Sequence, residues 1–275
     1  MKIRTLHILT VFAAVAALTG ACNARPEFLA LPTKTNPPPT LQPTPTSTPP
    51  VEATPEFSAG LCSNPLAPVA LGATWTYLNT EGGASPSTFS STITDVQSDG
   101  FTVATKFDDN TTVNQQWSCK PEGLVALSPG AGQTGFGLSL PGVQANLTTS
   151  NATGLTLPAN VQSGMKWPYN IDLGGTLSQG GLSADLTGTV TTEFQAIGTE
   201  QVTVAAGTFD AMKVQGATTL KVAANYHGLS LPITSVINTT FWFAPGVGWI
   251  KSAESGELAG TAVNATTELQ SYNIP

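Results

Sequence analysis

Few side chains in this chain could carry acid–base or nucleophilic chemistry, and their spacing argues against it. Two histidines occur in 275 residues, and His7 falls within the first ten. His227 stands in Asn225-Tyr226-His227-Gly228, just before a Gly-bounded apolar segment, and reads as an exposed turn residue. Neither G-x-S-x-G nor H-E-x-x-H occurs, so a serine nucleophile elbow and a zinc helix both lack their parts. Asp108-Asp109-Asn110 gathers two carboxylates. A calcium loop needs alternating ligands and a distant Glu, so this cluster reads instead as a solvated hairpin turn. Paired carboxylates could hydrolyse a glycosidic bond and could meet only in space. The candidates are Asp172, Asp185, Glu193, Glu200, Asp210, Glu254, Glu257 and Glu268, most at predicted turns or strand ends. The expectation is a chain that is not an enzyme, with no catalytic residue, no metal and no cofactor.

The other reactive groups are three thiols, Cys22, Cys62 and Cys119. Cys22 closes a leader. Lys2 and Arg4 form a short basic region, and Ile8 to Leu18 an apolar one of ~11 residues, too short to span a bilayer and suited to a signal peptide. The leader ends Leu18-Thr19-Gly20-Ala21-Cys22, which resembles the lipobox of bacterial lipoproteins. That resemblance implies a signal peptide over 1–21 and a lipid on Cys22, the first residue of the mature chain. The expected location is extracytoplasmic, anchored by lipid to the outer face of the bacterial cell membrane. With Cys22 lipidated, an even pair remains in an oxidising compartment. A Cys62–Cys119 disulfide would add about 4 kcal/mol in the loop-entropy picture. Two buried free thiols are the alternative.

Residues 22–60 then form a tether rich in Pro, Thr and Ser, with no apolar periodicity. Extended at ~3.1 Å per residue, it could hold a domain as much as ~100 Å from the bilayer. Charge argues against a nucleic-acid partner. The net charge is −7 and only 10% of residues are charged, so no basic surface is available for a phosphate backbone or for electrostatic docking on anionic lipid.

The domain itself, 61–275, must position whatever site exists. Its pattern is β throughout: short runs of Thr, Val, Ile and aromatics separated by Gly, Pro, Asn and Asp. No window shows a convincing period of 3.6, so little or no helix is expected outside the signal peptide. The organising stretch is 201–251. There Val202-Thr203-Val204 and Thr208-Phe209 flank one Gly-containing turn, and Phe241-Trp242-Phe243 and Trp249-Ile250 flank Ala244-Pro245-Gly246-Val247-Gly248. Pro then Gly in the central positions suits a type II turn. About 11–12 antiparallel strands are predicted, in a single large curved sheet, a half-barrel. The mostly polar last strand suits an edge.

Two halves, 61–128 and 160–275, share landmarks. Gly72-Ala73-Thr74-Trp75-Thr76-Tyr77 and Gly164-Met165-Lys166-Trp167-Pro168-Tyr169 both read G-x-x-W-x-Y. Trp117 precedes Gly123 as Trp242 precedes Gly248, and Trp249 follows. These Trp residues are predicted structural aromatics in a possible duplication, with chance as the alternative. Three further segments read G-L-x-L-P. Their leucines, Leu138 and Leu140, Leu155 and Leu157, and Leu229 and Leu231, are candidates for the apolar mouth of a ligand cavity, or else edge strands packed on the core.

The V-x-V-x-A-G-T-F and W-F-A-P-G-V-G-W-I-K hairpins, with Cys62-x-Asn64-Pro65 and Trp117-x-Cys119, resemble a group of bacterial lipoproteins and envelope proteins without assigned activity. More remotely the group is similar to LolA/LolB-type lipoprotein carriers. The resemblance implies a curved sheet around an apolar cavity and brings no catalytic residues. The expected function is a membrane-anchored extracytoplasmic binding module for an apolar or amphiphilic ligand. The alternative is a structural or adhesive surface module with a closed core. The expected partners are the membrane, through the N-terminal lipid, and a lipid or other amphiphile, with no nucleic acid. The sequence names no protein partner.

Overall fold

The computed structural model describes residues 60–82, 85–128, 143–258 and 261–275. The leader, Cys22, the tether, Leu138 and Leu140 lie outside them. Thirteen strands form: β1 (Thr74–Glu81), β2 (Ser87–Val96), β3 (Gly100–Phe107), β4 (Thr112–Lys120), β5 (Gly123–Ala126), β6 (Val143–Gly154), β7 (Leu157–Pro158), β8 (Lys166–Gln179), β9 (Leu182–Val204), β10 (Gly207–Tyr226), β11 (Leu229–Ala244), β12 (Gly248–Leu258) and β13 (Thr261–Asn273). No helix occurs among the described residues. All strands join one antiparallel sheet, in the order β6-β8-β9-β10-β11-β12-β13-β1-β2-β3-β4-β5-β7. The sheet curls into a half-barrel, as the sequence pattern implied. The extra strands β6, β7 and β8 fall in the Gly/Leu/Thr-rich middle, where alternation is weak.

The last strand corrects an expectation. β13 is central, between β12 and β1, not an edge. Its Thr residues serve both faces, with Thr267 and Leu269 buried inside the curl. Threonine suits a half-wet pleated surface as well as a rim.

The edges are β6 and β7, and one short segment brings them together. Gly154 pairs with Tyr169 on β8, and the Leu155 amide donates to the Pro168 carbonyl (3.1 Å). The Thr156 amide then donates to the Leu124 carbonyl (2.9 Å), and Leu157 pairs with Leu124 on β5. Two residues thus carry the chain from one edge to the other. Gly154 has φ +76°, and a Cβ there would fall 2.1 Å from the Pro168 oxygen. The Tyr169 hydroxyl donates to the Ala126 carbonyl (2.6 Å), tying the seam from inside.

Local chemistry explains the turns. Val247 N–H donates to the Ala244 carbonyl at 3.1 Å around Pro245-Gly246, and Gly246 has φ +74°, as a type II turn requires. Pro232 does not end its strand. It pairs with Ala223 inside β11, and β11 meets β12 only from Val236 onward, so its missing N–H faces no described neighbour.

The core fills the curl. Alternate residues of β9 and β10 point inward, including Leu186, Val190, Phe194, Val214, Leu220 and Val222. Their register skips Ile197, a bulge that bends the hairpin, and its far end folds over the sheet. There the Ala206 amide reaches the Leu269 carbonyl on β13 (3.2 Å). A clasp over residues 61–71 closes one end. Cys62 is disulfide-bonded to Cys119 of β4. Asn64, 2% exposed, donates to the Pro158 carbonyl (3.0 Å) and accepts the Leu66 amide (2.9 Å). The Pro65 carbonyl accepts the Gly246 amide (2.8 Å). The Cys62-Ser63-Asn64-Pro65 stretch therefore ties β4, β7 and the β11–β12 turn.

Candidate functional site

A cavity of about 550 Å³ opens on the inner face of β1–β4, bounded by β12 and β13 and by Ala67, Pro68 and Val69 of the clasp. Strand register arranges its lining in layers. At the outer end, Glu254 on β12 and Glu81 on β1 each pair with Ala265 of β13, and Thr239 of β11 pairs with Glu254. One rung inward, Ser252, Thr267, Asn79 and Ser87 stand side by side on β12, β13, β1 and β2. The next rung is apolar: Leu269, Tyr77, Phe89 and Phe107. Deeper still, Trp75, Ser91, Thr105 and Val113 align, followed by Ile93, Val103 and Gln115. Burial marks the two ends. Ile93, Leu124 and Leu157 form a closed floor, whereas Glu81, Asp108 and Asp109 are exposed at the mouth.

The wall is aromatic. Tyr77 stacks on Trp249 (4.5 Å between ring centroids) and on Phe89 (5.1 Å), and Phe89 meets Phe107 at 5.7 Å. The Tyr77 hydroxyl donates to the Trp249 carbonyl (3.0 Å), and the Trp75 indole to the Val247 carbonyl (2.7 Å). Burial without a charged partner pushes the Tyr77 phenol far above its ordinary pKa, so it stays neutral. Hydroxyls interrupt this wall. Ser91 and Thr105 share a hydrogen bond of 3.0 Å, and Thr267 donates to Asn79 (3.1 Å), which donates to Glu81 (3.0 Å).

Several buried polar atoms at or beside the cavity have no hydrogen-bond partner: the indole nitrogens of Trp117 and Trp249, and the hydroxyls of Thr239 and Ser252. The two indoles line the cavity. Thr239 and Ser252 share rungs with Glu254 and Thr267, which line it too. Unpaired buried donors are uncommon and call for a reason.

The mouth carries acids. Asp108 and Asp109 sit in the β3–β4 turn, where the Asp109 carboxylate accepts the Thr111 amide (2.8 Å), which holds its pKa below the ordinary value. Glu81 and Glu254 flank Ala265, about 10 Å apart by strand spacing. No Lys, Arg or His is among the described residues that line the cavity. Nor do the described residues gather three or more His, Cys, Asp or Glu side chains that could hold a metal ion.

The residues singled out by sequence divide. Trp75, Trp117 and Trp249 line the cavity, whereas Trp167 packs on Phe194 in the other half of the sheet (5.5 Å). Trp242 lies on the opposite face, between Lys213 (5.4 Å) and Lys251 (5.8 Å), with its indole donating to Glu200 (2.6 Å). That indole is the first cause of a lowered Glu200 pKa. Leu157 belongs to the cavity floor. Leu155 lies half-buried in the seam, and Leu229 and Leu231 are exposed near the β10–β11 turn. His227 sits in that turn with φ +47°, its ring against Tyr226. Ser163 and Lys166 have S-x-x-K spacing, which sequence reasoning passed over. They lie on a turn into β8, not a helix, and the Ser163 hydroxyl donates to the Ile197 carbonyl (2.7 Å). Glu81 was also missed, because nothing local sets it apart until register aligns it with Glu254.

No protein-family model matches the chain, and no curated protein does. Among solved structures it is similar to a Bacteroides fragilis protein described as exported, with a YmcC-like fold: 14% identity, 76% of this chain and 98% of that chain covered, TM-score 0.45. It is similar to a Parabacteroides distasonis protein described as a lipoprotein: 17% identity, 77% and 99% covered, TM-score 0.46. The Escherichia coli protein described as hypothetical lipoprotein YmcC aligns at 11% identity over 74% and 86% of the two chains, TM-score 0.33.

Proposed function

We propose that this chain is an exported binding module, anchored by lipid on Cys22 to the outer face of a bacterial cell membrane, whose cavity takes an apolar or amphiphilic ligand. The observation that carries the ligand half is the cavity of about 550 Å³ walled by Trp75, Tyr77, Phe89, Trp117 and Trp249. That volume lies in the range of small-molecule sites, and hydroxyls and carboxylates stand among its aromatic walls. The export half is supported by the Leu18–Cys22 leader motif and by a disulfide at the predicted pair, which fits an oxidising compartment. The domain acts by binding and release, without catalysis. The tether sets how far from the bilayer the ligand is met.

Two measurements test this. Radiolabelled fatty acid attaches to the wild-type chain and not to Cys22→Ser. Solvent extraction of the purified Cys22→Ser chain, which carries no covalent lipid, releases one apolar compound near one equivalent. Recovery of no such compound, with no binding of any added amphiphile, would overturn the ligand half.

A further inference from the structure

We infer that the cavity takes an uncharged ligand with a hydrogen-bonding group at each end, one held near the mouth and one at the floor, and an apolar middle between them. This rests on the proposed ligand-binding role and adds where the ligand's polar groups lie.

Polar and apolar rungs alternate down the inner wall. Asn79, Thr267 and Ser87 stand near the mouth, and Tyr77, Phe89 and Phe107 form the apolar rung below them. The next rung turns polar again. Ser91 on β2 pairs with Thr105 on β3, and both line the cavity. One rung further, Ile93 is 2% exposed and belongs to the closed floor. Ser87 and Ser91 are four residues apart on one strand, so the two polar rungs stand about 13 Å from each other.

A plain tail would bring its methyl end against Ser91 and Thr105. Their hydroxyls share one bond of 3.0 Å. Each hydroxyl offers one hydrogen and two lone pairs, so one hydrogen and several lone pairs are left over whichever of the two donates. Water can meet them in an open cavity, and a hydrocarbon end that displaces it cannot. A ligand hydroxyl at that depth restores the bonds. Sites built to bond a polar group discriminate strongly against an analogue that lacks it. The buried group must also be uncharged. No Lys, Arg or His is among the described lining residues, so a carboxylate at the floor would stand unpaired. The described lining carboxylates, Glu81, Asp108, Asp109 and Glu254, stand at the mouth end and leave an ammonium at the floor without a partner.

The filled half carries a matching pair that no ligand meets. Thr192 and Thr218 share a bond of 3.0 Å on the inner face of β9 and β10, at 3% and 1% exposure, and neither lines the cavity. Ser91, by contrast, is only half-buried. The two pairs differ in access, which makes one a control for the other.

The test uses the full Cys22→Ser chain after solvent extraction, with two isomers of one composition. 1,10-Decanediol carries its hydroxyls at opposite ends, and 1,2-decanediol carries both at one end. The change in tryptophan fluorescence reads binding. The expected result is at least about tenfold tighter binding of the 1,10 isomer. In Ser91→Ala/Thr105→Val that preference should disappear while the melting temperature holds, because both bonding partners are removed together. The control Thr192→Val/Thr218→Val removes the pair of the filled half and should keep the preference. A weaker wild-type preference, or one for the 1,2 isomer, would overturn the two-ended ligand and leave the binding role intact. So would a preference that survives in Ser91→Ala/Thr105→Val. Should that variant fold poorly, Ser91→Ala alone replaces it, and an unchanged preference there would sink the inference too. Binding of neither isomer overturns the inference together with the role it rests on.

Discussion

The two halves of the curled sheet solve one problem differently. On β8–β11 the inner face is filled by rings. Trp167, Phe194, Phe241 and Phe243 follow one another at centroid distances of 5.5, 6.4 and 6.0 Å. On β1–β4 the same face carries Ser87, Ser91, Thr105 and Gln115 between its aromatics, and it stays hollow. The hollow half is held by other means: the Cys62–Cys119 bond, the buried Asn64 bonds, and the Trp75 and Tyr77 bonds into the β11–β12 turn region. Close packing stabilises one half, and directional and covalent ties stabilise the other. A cavity can persist only where its walls do not depend on filling it.

The largest expected effect breaks the filled half. Phe241 is 1% exposed, and Phe241→Ala should cost about 3–5 kcal/mol through lost transfer energy and a new void. Phe89 already borders open space, so Phe89→Ala should cost only about 1–2 kcal/mol. Urea denaturation compares them. Equal losses would mean that the cavity wall is packed as tightly as the core.

Next in size is the covalent tie of the hollow half. Cys62 and Cys119 are separated by 57 positions. Reduction should lower stability by about 4 kcal/mol in the loop-entropy picture. It should loosen the clasp and β4 first, so amide hydrogen exchange should rise near Leu66 and Trp117 before it rises near Phe241. Uniform loss of protection would deny that the halves are held separately.

How much of this was legible in the chain follows the same divide. β9 to β11 announce themselves, because Val190, Phe194, Val214 and Phe241 alternate with polar neighbours over long runs. The cysteine pair was legible from parity and compartment. The cavity was not. In β2, Phe89, Ser91 and Ile93 share a face that looked neither apolar nor polar, and only register with Thr105, Val103 and Tyr77 turns it into a wall. The seam was hidden for a similar reason. Gly154 to Pro158 reads as a short apolar stretch, and its two partners, β8 and β5, lie on opposite sides of it in sequence. The Leu-x-Leu-Pro segments share a pattern without sharing an environment: Leu157 is buried, whereas Leu229 and Leu231 are exposed.

Each half also buries one tyrosine that crosses to the other, and alkali should separate them. Burial pushes the Tyr169 phenol up to about 12 and the Tyr77 phenol further still. A phenol whose folded pKa lies above the unfolded value of ~10 contributes its stability in full below pH ~10. That stability is lost as pH rises through the folded value. For Tyr169 the loss should reach roughly 2–3 kcal/mol between about pH 10 and 12, at about 1.4 kcal/mol per unit. Tyrosinate absorbance and urea midpoints measured together should show late ionisation coupled to unfolding. Tyr169→Phe should flatten part of that slope, and an unchanged slope would show that the seam tyrosine is not shielded.

The smallest effect is the sharpest comparison, because the same motif stands in both halves. In the two G-x-x-W-x-Y copies, the Trp75 indole donates to Val247 at 2.7 Å, whereas the buried Trp167 indole nitrogen has no partner. Both side chains are buried, at 8% and 5% exposure, so replacement by Phe removes similar ring volume from each. What differs is the hydrogen bond. Trp75→Phe strands the Val247 carbonyl beside the Pro245-Gly246 turn, while Trp167→Phe relieves an unpaired donor. Trp75→Phe should therefore cost about 1–2 kcal/mol more than Trp167→Phe in urea denaturation. Equal costs would make the two copies interchangeable, and the claim that bonds hold the hollow half in place of packing would lose its most direct support.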